Sequence, residues 1–361
     1  MRPVIFQMTF QEQLKLSVRR AIAAVLFYSG INALYRFLVM RNRAVVLMYH
    51  HVVDSAELND WYVQPGMYVT WQVFDMQMGY LRKRYQVVPL ARLIEALQGK
   101  KNLPMDMCVL TFDDGWKDNH AHALPILKKY NLPATVFLVS DFVGTSSWFW
   151  PEEVCGLLSK YFQRQELGEP LTTNYPTLDR MGVVSVISRS DWPPTKKIET
   201  TLEMLKSLQE ADKEKALKEL KDLLKNNSKE DVSKRLLLTW DEVAEMRRSN
   251  IAFGSHTRTH AILTKVSKEK AREEILGSKL EIERRLSTAC WAFCYPNGDS
   301  NPRVKEMVKE YYKCAFTTER MFVRPGSDPL SLGRIAIHND MTCTKPLFAC
   351  RISGLLDVLG L

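Results

Sequence analysis

The sequence is poor in several features that would narrow its class at once. Its seven cysteines (Cys108, Cys155, Cys290, Cys294, Cys314, Cys343 and Cys350) are an odd number, and no CxxC pair occurs among its 361 residues. Several lie inside apolar runs such as "MCVLTF" and "KCAFTT", which argues against a disulfide framework and for small buried hydrophobes in a reducing compartment. No long apolar run stands at the N-terminus either. "AIAAVLFYSGINALY" (21 to 35) carries fifteen uncharged residues before Arg36 ends it, short of the roughly 20 needed to span a bilayer. No small-x-small cleavage site closes the segment, and no nucleic-acid-binding signature accompanies the basic residues. The formal net charge of +9, with a pI near 9.1, therefore points to an anionic membrane surface, with no nucleic acid partner. Disorder is excluded on a large scale, because 46% of residues are hydrophobic and 25% charged, the proportions of a chain with a real core.

What is present divides the chain. Residues 1–43 form an amphipathic arm, with Lys15, Arg19 and Arg20 before the apolar stretch and Arg36, Arg41 and Arg43 after it. Basic flanks of that kind suit a helix lying in an anionic interface, the alternative being a helix packed on the catalytic domain. The expectation is a cytoplasmic protein, peripheral at the inner membrane face, the alternative being a secreted or membrane-anchored one. "RNRAVVLMYH" leads from the basic flank into the first strand with almost no linker, which would hold the barrel mouth near the bilayer.

Between 44 and 343 short apolar runs alternate with helical stretches. Residues 44–50, 107–112, 134–140, 251–254, 291–296, 313–318 and 334–338 read as strands buried on both faces, as in a parallel sheet. Helices are predicted over 72–84, 118–130, 241–249 and 268–286, the last capped by Ser267. Repeated strand–helix units imply an α/β fold and a barrel, whose chemistry gathers at the C-terminal ends of the strands. A helical insertion, 151–235, interrupts the rhythm. Leucines 202, 205, 208, 217, 220 and 224 fall near helical spacing there, so one face must pack on something. A C-terminal helix is expected over 344–361.

The chemistry sits where strands end. "GSHTRTH" (254 to 260) places His256 and His260 four apart, pointing the same way if the backbone turns helically after its strand. "LTFDDGW" (110 to 116) runs a strand into Asp113 and Asp114. Adjacent carboxylates repel, and a cation beside them removes the cost. Neighbours on an extended strand point opposite ways, so one would ligate and the other face substrate. His338 ends a further strand in "GRIAIHND", and His50 and His51 end the first, where packing is their expected role. An Asp-His-His set leaves positions open for water on a hydrolytic metal.

"TFDDG", "SHTRTH" and "IAIH", with "LMYHHV", "LPATVFLVS", "LTWDEVAEM" and "FCYPNG", resemble in order the motifs of the polysaccharide deacetylases, the NodB-homology carbohydrate esterases. The resemblance spans roughly residues 44 to 340 apart from the insertion. It implies a distorted (β/α) barrel of the polysaccharide deacetylase type that removes acetyl from an N-acetylated amino sugar with a divalent metal, Zn2+ being favoured because imidazoles are poor magnesium ligands. On this resemblance Asp114, His256 and His260 hold the metal, Asp113 is the general base and His338 the general acid. Tyr295, Pro296, Asn297 and Gly298 stand where the family binds substrate and stabilises the oxyanion. Cys294 takes the place of the motif's arginine, so the residue that would orient the base is missing from its usual position. The implied partner is an acetylated amino-sugar glycan, an exopolysaccharide or a lipid-linked saccharide. The alternatives are hydrolysis of a non-sugar amide and a glycan-binding barrel without catalysis.

Overall fold

The computed structural model describes residues 10–59, 63–64, 66–99, 102–165, 175–225 and 236–360. The first nine residues of the predicted arm, residues 166–174 and 226–235 of the predicted insertion, and Leu361 lie outside them.

Ten strands run in chain order: β1 (Ala44–Tyr49), β2 (His51–Val53), β3 (Tyr68–Thr70), β4 (Gln86–Val87), β5 (Met107–Phe112), β6 (Ala134–Leu138), β7 (Ile251–Ser255), β8 (Ala292–Cys294), β9 (Cys314–Phe316) and β10 (Ile335–Ala336). Each of the seven predicted strands is there, five of them shorter by one to three residues. They form one parallel sheet in the order β10-β1-β5-β6-β7-β8-β9, with β4 beside the start of β5, while β2 and β3 pair separately. The sheet curls until Phe316, at the end of β9, bridges Leu332 just ahead of β10. This is the distorted (β/α) barrel that the sequence led us to expect.

The apolar runs are continuous because both faces are covered. One set of alternating residues, among them Val46, Val109, Phe137, Cys294 and Phe316, packs together inside the curl. The other set, including Leu47, Leu110, Val136 and Leu138, packs beneath helices. Register then fixes the site: Met48 of β1 lies opposite both Thr111 of β5 and Ala336 of β10, so these strands end level. Helices follow their caps. Ser267 accepts from Lys270 N and starts Lys268–Leu286, and Thr239 with Glu242 makes a capping box before Trp240–Arg248.

Two helices precede the barrel, α1 (Phe10–Tyr28) and α2 (Ile31–Val39). The predicted C-terminal helix is two, Lys345–Ser353 and Leu355–Val358, separated by Gly354 at φ 78. The described residues divide into two compact units, one holding α1, α2 and the barrel, the other drawn from Ser146–Lys234 with Ser55–Gln64. The second unit has its own core, in which Leu202, Leu205, Leu220 and Leu224 meet Val154, Leu158 and Leu178. The leucine face of the insertion thus packs within the insertion.

Candidate metal centre

β5 ends at Phe112, and the chain turns through left-handed Asp114 (φ 72) and Gly115 (φ 77). A Cβ on Gly115 would lie 2.7 Å from Leu138 Cδ2, so both backbone and space demand glycine. Asp113 continues the inward series of Val109 and Thr111. The turn, not strand alternation, sends Asp114 elsewhere. Both carboxylates are buried, at 2% and 6% exposure, and they face different partners.

Asp114 faces the two histidines. Its Oδ2 accepts from Trp116 Nε1 at 3.0 Å, while Oδ1 lies 3.5 Å from His256 Nε2 and 3.6 Å from His260 Nε2. The three ligating atoms all fall within 4.8 Å of one another. Ligands about 2.0–2.1 Å from a tetrahedral zinc stand roughly 3.3 Å apart, so the carboxylate–imidazole spacing fits such an ion with little movement. His256 follows β7 directly, and its Nδ1 donates to the Cys294 carbonyl at 2.8 Å. A carbonyl only accepts, so the proton sits on Nδ1 and the Nε2 lone pair points at Asp114. Burial lowers the pKa of His256 and keeps the ring neutral, as a metal ligand must be.

His260 does not arrive by the helical turn that its spacing suggested. Residues 256–260 form a loop, with Thr257 at φ 68 and His260 at φ 62. Fully buried Glu274 shapes it, accepting from Arg258 N (2.9 Å), Thr259 N (2.8 Å) and Thr259 Oγ1 (2.8 Å). The loop's backbone donors therefore go to a side chain instead of a helix ladder.

Asp113 faces an arginine. Arg334, fully buried, donates Nη1 to Oδ1 and Nη2 to Oδ2, both at 2.7 Å, and Nη2 also reaches Cys294 Sγ at 3.0 Å. Its Nε donates to the Thr317 carbonyl and Nη1 to Thr111 Oγ1. Burial alone would raise the pKa of Asp113, but the guanidinium's charge and paired hydrogen bonds hold it well below the usual carboxylate range. The orienting arginine that sequence reasoning found missing is present. It comes from the start of β10 instead of the "FCYPNG" motif, and the Cys294 thiol fills the vacated space.

The family model described as polysaccharide deacetylase matches residues 100–169 and 191–313, more than half of the chain. The protein belongs to the polysaccharide deacetylase family. Among curated relatives, the poly-β-1,6-N-acetyl-D-glucosamine N-deacetylase of Escherichia coli (strain K12) is 35% identical over 105 residues, 29% of this chain and 15% of that protein. The enzyme of the same name from Staphylococcus epidermidis is 28% identical over 115 residues, 30% of this chain and 40% of its own length. The match thus spans less than half of either relative. Among solved structures, Streptococcus pyogenes deacetylase PplD in complex with acetate has a TM-score of 0.54 at 20% identity, covering 87% of this chain and 97% of that one. IcaB from Ammonifex degensii gives 0.54 at 19%, covering 86% and 97%. These likenesses establish the deacetylase barrel.

Within that barrel the remaining predicted residues fare differently. His338 lies two residues beyond β10, at the N-cap position of Asn339–Thr342, its Nδ1 paired with Asp340. Asp113 has a histidine on either side: a ring nitrogen of His256 lies within 4.8 Å of it, and His50 Nε2 lies 4.0 Å from its Oδ2. Burial is the main force lowering the pKa of His50 to about 4, against the opposing charge of Asp113. Its neighbour His51 does pack, stacked on Trp116 with ring centroids 3.9 Å apart and bonded to Asp118. The predicted oxyanion turn needs correction. Tyr295 is fully buried with its hydroxyl donating to the Leu330 carbonyl, and the Gly298 amide donates to the Tyr295 carbonyl at 2.8 Å. Neither can meet substrate through those groups, and Pro296 has no N–H. Asn297 lies on the same turn at φ 56.

Proposed function

We propose that the protein is a metal-dependent hydrolase that removes acetyl from an N-acetylated amino sugar in a glycan. The observation that carries this is the pairing of two carboxylates with separate partners, Asp114 with His256 and His260, and Asp113 with Arg334. A binding barrel has no use for that division, and an amide needs it, since its carbonyl is a poor electrophile and its amine a poor leaving group. The relatives' names supply the substrate class, an N-acetylglucosamine polymer.

Asp114, His256 and His260 would hold a divalent ion, zinc by its donor set. Bound there, it would polarise the acetyl carbonyl and favour ionisation of the attacking water. Arg334 keeps Asp113 a carboxylate aimed into the site, ready to take the proton of that water. Water oxygen bonds to the acetyl carbon, the C–N bond breaks, and acetate and the sugar ammonium leave with the water's oxygen and both of its protons. His50 stands between these events. It can receive the proton from Asp113 and pass it to the departing amine, and the burial that lowers its pKa makes its imidazolium a strong donor. The geometry favours His50 over His338 in this role. His338, with its ring fixed by Asp340, keeps the acid role that the family resemblance gave it as the second reading.

Acetate release tests the proposal. Purified protein should liberate acetate from β-1,6-linked N-acetylglucosamine oligomers, with chitin oligomers and lipid-linked N-acetylglucosamine run beside them to define the substrate. A lipid-linked saccharide at the inner membrane face is the narrower substrate that a membrane-bound arm would suit. Release from simple non-sugar amides but no acetylated sugar would overturn the glycan assignment.

A further inference from the structure

The arm is apolar on two faces, and the barrel covers only one of them. On the inner face Ala23 packs with Leu347, Cys350 and Leu356, Phe27 meets Tyr80, and Asn32 accepts from Ser353 Oγ. The outer face carries Leu14, Val18, Val25 and Tyr28 on α1, then Leu34 and Leu38 on α2. Their spacing along α1 (four, seven and three residues) lays them in one stripe. Eight of the fourteen exposed large hydrophobic side chains among the described residues fall between 14 and 38, at 46% to 77% exposure. A solvated helix would show charge on that side.

Charge says what covers the stripe. No Asp or Glu occurs between Glu12 and Asp54, whereas Lys15, Arg19, Arg20, Arg36, Arg41 and Arg43 all do. Lys15 and Arg41 are exposed at the two ends of the stripe, while Arg20 turns to the barrel side, where its Nη2 lies 3.2 Å from Cys343 Sγ. No single helix of the described residues is long and apolar enough to cross a membrane, and α1 and α2 meet at a 75° bend. We infer that the outer stripe of α1–α2 lies in the interface of an anionic lipid bilayer, its aliphatic side chains among the acyl chains and its basic ends on the headgroups.

The packing suggests another course for the bilayer than the short tether did. α2 ends at the strands' N-terminal side, with Arg36 on Asp106 (3.3 Å) just ahead of β5. The middle of α1 lies on the other side, with Arg19 Nη1 2.7 Å from Met341 Sδ, three residues beyond His338. The stripe therefore runs down the barrel's flank, and the bilayer would lie alongside the barrel and not across its mouth.

Flotation of the full chain with vesicles tests this. The protein should float with vesicles of phosphatidylglycerol in phosphatidylcholine, bind phosphatidylcholine alone much less, and lose part of its binding in high salt. Val25→Glu and Leu34→Glu should each weaken binding roughly tenfold, with circular dichroism and thermal midpoint unchanged because both side chains are exposed. Leu280→Glu, an exposed leucine on the helix Lys268–Leu286, should leave binding intact. Folded Val25→Glu and Leu34→Glu variants that float like the parent would overturn the inference. So would concentration-dependent self-association that these substitutions abolish in the absence of lipid, since the stripe would then join two copies.

Discussion

Arg334→Met tests how the barrel holds its inner carboxylate. The change removes a fully buried guanidinium bound by both nitrogens to Asp113 at 2.7 Å and leaves that carboxylate buried without its cation. Breaking a buried pair from one side costs about 3–5 kcal/mol. Asp113→Asn strands Arg334 instead and should cost a similar amount. The double variant should recover much of it, giving a coupling energy on the order of 3 kcal/mol in a double-mutant cycle. The pH dependence has a definite sign. Arg334 depresses the folded pKa of Asp113, so the pair's contribution is fully present above the unfolded carboxylate pKa of about 3.9 and is lost as pH falls through the lower folded value. In Arg334→Met burial is opposed only by His256 and His50, so that pKa should rise, and the stability gap to the parent should be widest near neutrality and narrow in acid. Urea denaturation of metal-free protein at neutral and acidic pH measures both effects. Additive single costs, or a gap that widens in acid, would refute the reasoning.

Three further outcomes follow from the same geometry. Glu274→Gln should unsettle the loop that carries His260 and weaken metal affinity about 10–100-fold, as loss of a supporting partner does; competition with a zinc chelator would read it, and unchanged affinity would show that the loop holds itself. His50→Asn should lower turnover by roughly 10²–10⁴-fold with metal retained; if His338→Ala does so and His50→Asn does not, the acid role returns to His338. Because His50 titrates near pH 4 when folded against about 6.5 unfolded, metal-free protein should lose roughly 3 kcal/mol of stability as pH falls across that window. That slope should flatten in His50→Asn, and an unaltered slope would place the titration elsewhere.

Much of this was legible from sequence, for physical reasons. Strands covered on both faces are unbroken apolar runs, so β1, β5 and β6 could be read from composition alone. A turn at Asp-Asp-Gly after such a run had to leave two carboxylates at a strand end. Spacing was less informative, because His256 and His260 four apart suit a helix or a loop equally. What decided for the loop was Glu274, an ordinary position within a charged helix. Arg334 escaped because it lies 221 residues from Asp113 and outside the motif where an arginine was sought. There was a signal: "GRIAIH" opens a buried strand with a cation, and a charge taken into a core requires a partner of opposite sign. The leucines of the insertion said that one face must be covered without saying by what. Only the fold supplied the neighbouring helices of that unit.

The proposed chemistry rests on two adjacent aspartates having separate tasks, Asp114 holding metal and Asp113 moving protons. Elemental analysis and acetate release, run together on Asp113→Asn and His256→Ala, test it most directly. Asp113→Asn should keep its metal while acetate release falls roughly 10²–10⁴-fold, and His256→Ala should lose both. Metal missing from Asp113→Asn, or metal fully retained in His256→Ala, would contradict it.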